Sequence, residues 1–151
     1  ELTARGVEFN QNIAVGAMIE VPSAAMIAAD IASEVDFFSI GTNDLVQTVY
    51  AVSRDDLEGY LHPVDARSSA VKQMVRKAIE KFTNQGLEIG ICGQAPSDYP
   101  ESFPPFLIDC GITSISVTPD TAIKVRMAVQ SAEMALDAGY DGMDIVIEAE
   151  E

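Results

Sequence analysis

The sequence predicts an α/β chain, and three observations predict it. Four short apolar runs, at 15–21, 35–40, 87–92 and 112–117, are each long enough for one buried strand. Each run is followed by turn and cap chemistry: Pro22 after the first, Gly41-Thr42-Asn43-Asp44 after the second, Gly93-Gln94-Ala95-Pro96 after the third, Thr118-Pro119-Asp120 after the fourth. Helical stretches fill the gaps, at 23–34, 44–52, 67–85 and 101–109, with 120–136 after the last run. The clearest places Val71, Met74, Val75, Ala78, Ile79 and Phe82 on one face, and Gly86 is its natural stop. Strict alternation of strand and helix implies parallel pairing through right-handed crossovers. Four such units make either a small doubly wound sheet or half of an eight-unit barrel, and the pattern leaves both open.

Composition sets the class. With 48% hydrophobic residues and a mean hydropathy of +0.14, the 151-residue chain has the means to bury one core and is not a disordered polymer. A formal charge of −15 repels phosphate backbones and anionic lipid, so nucleic acid is set aside as a partner. No apolar run approaches the roughly 18 residues of a membrane span. The two cysteines, Cys92 and Cys110, are too few for a disulfide framework, and a reduced, cytoplasmic setting is expected. The chain begins at Glu1 rather than Met, so a boundary made by cleavage or cloning is expected. Residues 1–138 read as one partial domain and 139–151 as an acidic tail.

In parallel α/β folds, reactive groups gather at the carboxyl ends of the strands. Here Glu20 ends the first run and Asp44 follows the second, one carboxylate at each of two neighbouring strand ends. Together they could hold Mg²⁺, which prefers oxygen ligands and takes one or two carboxylates plus the oxygens of its substrate. The alternative is that Glu20 pairs with a buried arginine and Asp44 caps a helix. Thr42 and Asn43 are ligand contacts or turn formers, and Gly41 permits either a close approach to a ligand or the turn itself. Cys92 ends the third run, where a thiol is a catalyst or inert packing. Cys110, beside Gly111, reads as structural. Arg54 either clamps an anion or pairs with Asp55 or Asp56, and His62, in a loop before Pro63, is assigned no chemistry.

Three ordered strings go further: Met18-Ile19-Glu20-Val21-Pro22-Ser23, Asp36-Phe37-Phe38-Ser39-Ile40-Gly41-Thr42-Asn43-Asp44-Leu45, and Ile91-Cys92-Gly93-Gln94-Ala95-Pro96-Ser97-Asp98. From about Val15 to Leu136 the chain resembles the phosphoenolpyruvate-utilising enzymes. The third string is similar to the synthase branch of that family, as is Ser116-Val117-Thr118-Pro119-Asp120-Thr121. The resemblance implies the carboxyl-terminal half of a (β/α)₈ TIM-type barrel, four parallel strands with alternating helices. It implies Glu20 and Asp44 as Mg²⁺ ligands, Gly41, Thr42 and Asn43 around pyruvate or phosphoenolpyruvate, Arg54 near the phosphoryl group and Cys92 as the acid/base.

The same resemblance implies a parent enzyme that converts ATP, pyruvate and water to AMP, phosphoenolpyruvate and phosphate. Its nucleotide-binding and phosphohistidine domains are not in this sequence, and His62 lacks the context of the phosphorylated residue. The chain alone is therefore expected not to turn over. Half a barrel leaves two sheet edges that invite a second copy, so a homo-oligomer is expected. The competing expectations are a non-catalytic oligomerisation or binding module that keeps the half-barrel, and an enzyme I-type phosphotransferase fragment.

Overall fold

A computed structural model describes residues 1–53 and 65–139. Arg54, His62 and most of the acidic tail lie outside the described residues. Four parallel strands, β1 (Gly16–Ile19), β2 (Phe37–Ile40), β3 (Glu88–Ile91) and β4 (Ser114–Ile115), pair in chain order. The register aligns Gly16 with Phe37 and Glu88, then Met18 with Ser39, Gly90 and Ser114. Helices separate the strands: α1 (Pro22–Met26) and α2 (Ala28–Ile31), α3 (Thr42–Tyr50) and α4 (Ser69–Thr83), α5 (Ala95–Asp98) and α6 (Phe103–Cys110), with α7 (Ala122–Asp137) last. This is the arrangement of half a (β/α)₈ barrel.

The predicted strands are present but shorter than the apolar runs, because the run ends become loops that carry polar groups. The expected helix at 23–34 is broken at Ile27 and finishes as a 3₁₀ turn, Ala32–Glu34. Lys81 Nζ donates to the Met26 carbonyl at 3.0 Å, so an acceptor at the break is satisfied from another helix. Thr42 and Asn43, read as loop or turn residues, belong to the first turn of α3, because Gly41 rather than Asp44 serves as its N-cap. Gly86 stops α4 as expected: with φ at 71° it adopts the left-handed conformation, and Leu87 N–H bonds back to the Phe82 carbonyl.

Strand alternation divides the sheet into two faces. Ile19, Phe38, Ile40, Ile89 and Ile91 are buried beneath the helices, where they meet Val71, Val75, Ala78, Ile79 and Phe82 of α4 and Leu107 of α6. Burying each large side chain in this set stabilises the fold by about 2 kcal/mol. Phe38 and Phe82 stack with ring centroids 3.7 Å apart, tying the second strand to the longest crossover helix. The opposite face carries Gly16, Met18, Phe37, Ser39, Glu88, Gly90 and Ser114 and has no helix over it among the described residues; Met18 and Phe37 are 40% and 39% exposed. In a closed barrel this face is the interior.

Two outcomes follow for stability. Phe82→Ala, which removes a fully buried ring and its stack on Phe38, should cost about 3–5 kcal/mol in urea denaturation, with the slope unchanged. Burial pushes the Cys110 thiol up to about 11. The unfolded chain ionises this thiol first, so the folded state binds more protons and loses relative stability as pH rises from its ordinary value toward 11. Cys110→Ala should lessen that alkaline loss, read as the shift in denaturation midpoint between roughly pH 8 and pH 10.

Candidate functional site

The strand ladder does not stop where the strands do. Gly41 N–H donates to the Ile19 carbonyl at 3.1 Å, Cys92 N–H to Ile40 at 3.0 Å and Ser116 N–H to Ile91 at 2.9 Å. Each bond repeats the same step one residue past the paired segment. Continuing the register in this way places Glu20, Gly41, Cys92 and Ser116 in one row across the carboxyl rim, on the face opposite the buried isoleucines. Two residues expected at the site, Glu20 and Cys92, are therefore brought to a common row with Gly41 between them.

Gly41 is where the row is tightest. A Cβ there would stand 3.0 Å from Met18 Cε and 3.1 Å from Glu20 Oε2, so the missing side chain keeps room beside the Glu20 carboxylate. Glu20 is half-buried, and among the described residues it makes no ion pair. Cys92 is exposed; its Sγ makes only weak contacts, 3.8 Å to the Ile40 carbonyl and 3.9 Å to Met18 Sδ.

The first turn of α3 carries the remaining candidates. Asp44 is its third residue, so the carboxylate stands in the first turn, where the helix dipole favours negative charge. It is exposed, and Gln47 Nε2 donates to its Oδ1 at 3.2 Å. The Thr48 hydroxyl donates to the Asp44 carbonyl at 2.8 Å and lies 3.3 Å from the Glu20 carbonyl, which holds the loop after β1 against the helix that bears Asp44. Asn43 is turned to the next loop: its Nδ2 donates to Gln94 Oε1 and its Oδ1 accepts from Gln94 N–H, both at 3.3 Å. Thr42 is fully buried, and its hydroxyl has no hydrogen-bond partner among the described residues. That side chain backs the loop at Gly93 instead of facing the open sheet.

Glu20 and Asp44 each offer only hard oxygen donors, the chemistry that Mg²⁺ takes from one or two carboxylates with substrate and water oxygens completing its shell. The described residues contain no group of three or more His, Cys, Asp or Glu side chains that would cage a metal unaided. Arg54, the expected anion clamp, lies outside the described residues. Beside Asn43 and Gln94, a cavity of about 160 Å³ is lined in addition by Asp65 and Tyr99. Arg67 stacks over the Tyr99 ring at 4.0 Å and bonds Asp65 through Nη2 at 2.8 Å. Burial acts to raise the Asp65 carboxyl, but hydrogen bonds from the Arg67 side chain and backbone outweigh it and hold the group below its usual range.

Sequence reasoning named the loop residues but not the ties between loops. Thr48 looked like an ordinary helix residue, and Gln94 was noted only as part of a turn. Ser97 Oγ accepts from Thr118 N–H at 2.9 Å and from the Thr121 hydroxyl at 3.1 Å, which joins the third loop to the fourth. Ser116 had one available signal, its place at the end of the fourth apolar run. Gly93→Ala tests how closely the loops pack. Its Cβ would lie 2.6 Å from the Thr42 backbone nitrogen and collide with the Thr42 hydroxyl, so the third loop must leave α3. The expected result is a loss of at least about 2 kcal/mol on denaturation; a variant as stable as the parent would show that the contact yields freely.

Comparison with known proteins gives the site its lineage. The family profile described as "PEP-utilising enzyme, PEP-binding domain" matches residues 1–134. The chain is 42% identical over 137 residues to the phosphoenolpyruvate synthase of Synechocystis sp., covering 90% of this chain and 16% of that protein. It is 46% identical over 119 residues to the phosphoenolpyruvate synthase of Helicobacter pylori, covering 79% of this chain and 14% of that one. Over 125 residues it is 35% identical to the phosphoenolpyruvate-protein phosphotransferase of Borreliella burgdorferi, covering 83% of this chain and 21% of that protein. The chain thus spans about one sixth of the length of the synthases it matches. A half-barrel with carboxylates and a thiol at its carboxyl rim, matched from its first residue into the last turn of α7, belongs to the PEP-binding domain of the PEP-utilising enzymes.

Proposed function

We propose that this chain supplies the pyruvate and phosphoenolpyruvate side of the active site of a phosphoenolpyruvate synthase, whose complete form converts ATP, pyruvate and water to AMP, phosphoenolpyruvate and phosphate. The observation that supports this reading is the row of Glu20, Gly41 and Cys92 along the rim, with Asp44 held beside it through Thr48. Glu20 and Asp44 would hold Mg²⁺, which supplies positive charge to stabilise the enolate oxygen. Gly41 leaves space for a three-carbon acid, and Asn43, with one amide hydrogen beyond those it shares with Gln94, together with the N-terminal N–H groups of α3 orients its oxygens.

Cys92 handles the proton. Its sulfur takes a proton from the methyl carbon of pyruvate; the C–H electron pair forms the new C=C bond, and the carbonyl π pair moves onto oxygen. That oxygen then attacks the phosphorus of a phosphohistidine carried by a separate domain of the parent enzyme, forming the O–P bond as the P–N bond breaks. Arg54, outside the described residues, is the group this reading assigns to the transferred phosphoryl group. In this reading the nucleotide-binding and phosphohistidine domains are the intramolecular partners of residues 1–138, and 139–151 are an acidic stretch of sequence.

Further parts of the reading concern assembly and setting. The outer edges of β1 and β4 carry no strand among the described residues, which supports association through the sheet, with the rest of the barrel or with a second copy. Among the described residues no helix is long and apolar enough to cross a membrane; we assign the parent to the cytoplasm. The match to a phosphoenolpyruvate-protein phosphotransferase favours a second reading, with the same rim chemistry and a carrier protein as the phosphoryl acceptor. Phosphorylation of such a carrier by the full-length parent would select it.

Cys92→Ala in the full-length parent should reduce exchange of pyruvate methyl protons with deuterated water by at least about 100-fold. The ATP-dependent phosphorylation of the enzyme should persist. Exchange at the parent rate would falsify the role given to Cys92.

A further inference from the structure

We infer that Gln94 is a positioning residue for Asn43, holding its amide in the orientation that offers an N–H to the oxygens of the substrate. The inference rests on the substrate contact proposed above for Asn43. It starts from a two-point tie: Asn43 Oδ1 accepts from Gln94 N–H, and Asn43 Nδ2 donates to Gln94 Oε1, both at 3.3 Å. One residue thus meets both polar atoms of a side chain 51 positions away in the sequence.

The tie decides which way the amide faces. A backbone N–H can only donate, so the atom set against it is the Asn43 oxygen. The nitrogen then lies against Gln94 Oε1, which takes one of its two hydrogens and leaves the second for a ligand oxygen. An apolar side chain at position 94 would keep the backbone bond but remove the acceptor for Nδ2. The amide would then rock about χ2, a torsion whose wells are broad, and its second hydrogen would lose its aim.

Both ends of the tie are seated on fixed backbone. Asn43 is the second residue of α3, and its carbonyl accepts from Gln47 Nε2 at 3.2 Å. Gln94 precedes α5, and its carbonyl accepts the N–H groups of Ser97 at 2.8 Å and Asp98 at 2.9 Å. Between the two, Gly93 lies so close to Thr42 that a Cβ would collide with it, and this approach brings Gln94 N–H within reach of Asn43. With its backbone held on both sides, Gln94 presents its side-chain oxygen from a defined point, which is what a residue that orients another requires.

The test is a double-mutant cycle in the full-length parent, with the dissociation constant of pyruvate measured by calorimetry in the presence of Mg²⁺ and without ATP. Gln94→Met, which keeps the length of the side chain and removes its acceptor, should weaken binding about fivefold, the scale of one hydrogen bond. In the Asn43→Ala background the same change should move the constant by less than about twofold. Any other contact of Gln94 acts in both backgrounds, so only its action through Asn43 disappears between them. Parent affinity in Gln94→Met, or an equal loss in the two backgrounds, overturns the positioning role and leaves the substrate contact of Asn43 standing. Parent affinity in Asn43→Ala overturns that contact, and the positioning role with it.

Discussion

A parallel strand must form its hydrogen bonds in register with its neighbour, and in this protein that requirement is carried one residue beyond each strand. The bonds from Gly41, Cys92 and Ser116 to the preceding strands are backbone bonds, indifferent to side-chain identity. They nevertheless decide which side chains share a row. Moving one strand by a single residue would turn Cys92 to the helix side and bring Ile91 to the rim. The buried isoleucines oppose such a slip, since Ile89 and Ile91 would lose their core contacts with it. The hydrophobic layer on one face thereby locks the chemistry on the other.

Above that layer, polar side chains tie the loops in sequence. Thr48 connects the loop after β1 to α3, Asn43 and Gln94 connect α3 to the loop after β3, and Ser97 connects that loop to Thr118 and Thr121. The individual bonds are modest, each contributing about 1 kcal/mol. Their value is geometric, because a site assembled from separate loops is only as well ordered as the links between them. The burial of Thr42 against Gly93 serves the same end through contact instead of hydrogen bonding.

The open sheet face and the two edges left unpaired among the described residues accord with a chain that spans about one sixth of the length of the synthases it matches. A (β/α)₈ barrel closes its sheet so that every edge is paired and the interior is packed. Four strands do neither, and Met18 and Phe37 consequently stand exposed where a closed barrel would cover them. The helix-facing core is complete enough to define the half-barrel.

Much of this was determined by sequence alone. The four apolar runs, Gly86 as a stop and the one-faced pattern from Val71 to Phe82 specify strands and helices through local preference and periodicity, which neighbouring residues suffice to express. The motifs around Glu20, Gly41 to Asp44 and Cys92 likewise mark the family from the residues in order. Tertiary structure decided what depends on register between distant segments: that Gly41 and not Asp44 caps α3, that Thr42 is buried while Cys92 is exposed, that Asn43 turns to Gln94, and that Ser116 joins the row. Apart from the cap, which is local, those outcomes belong to pairs more than twenty residues apart, and a linear sequence carries no distance between such pairs until the sheet brings them together.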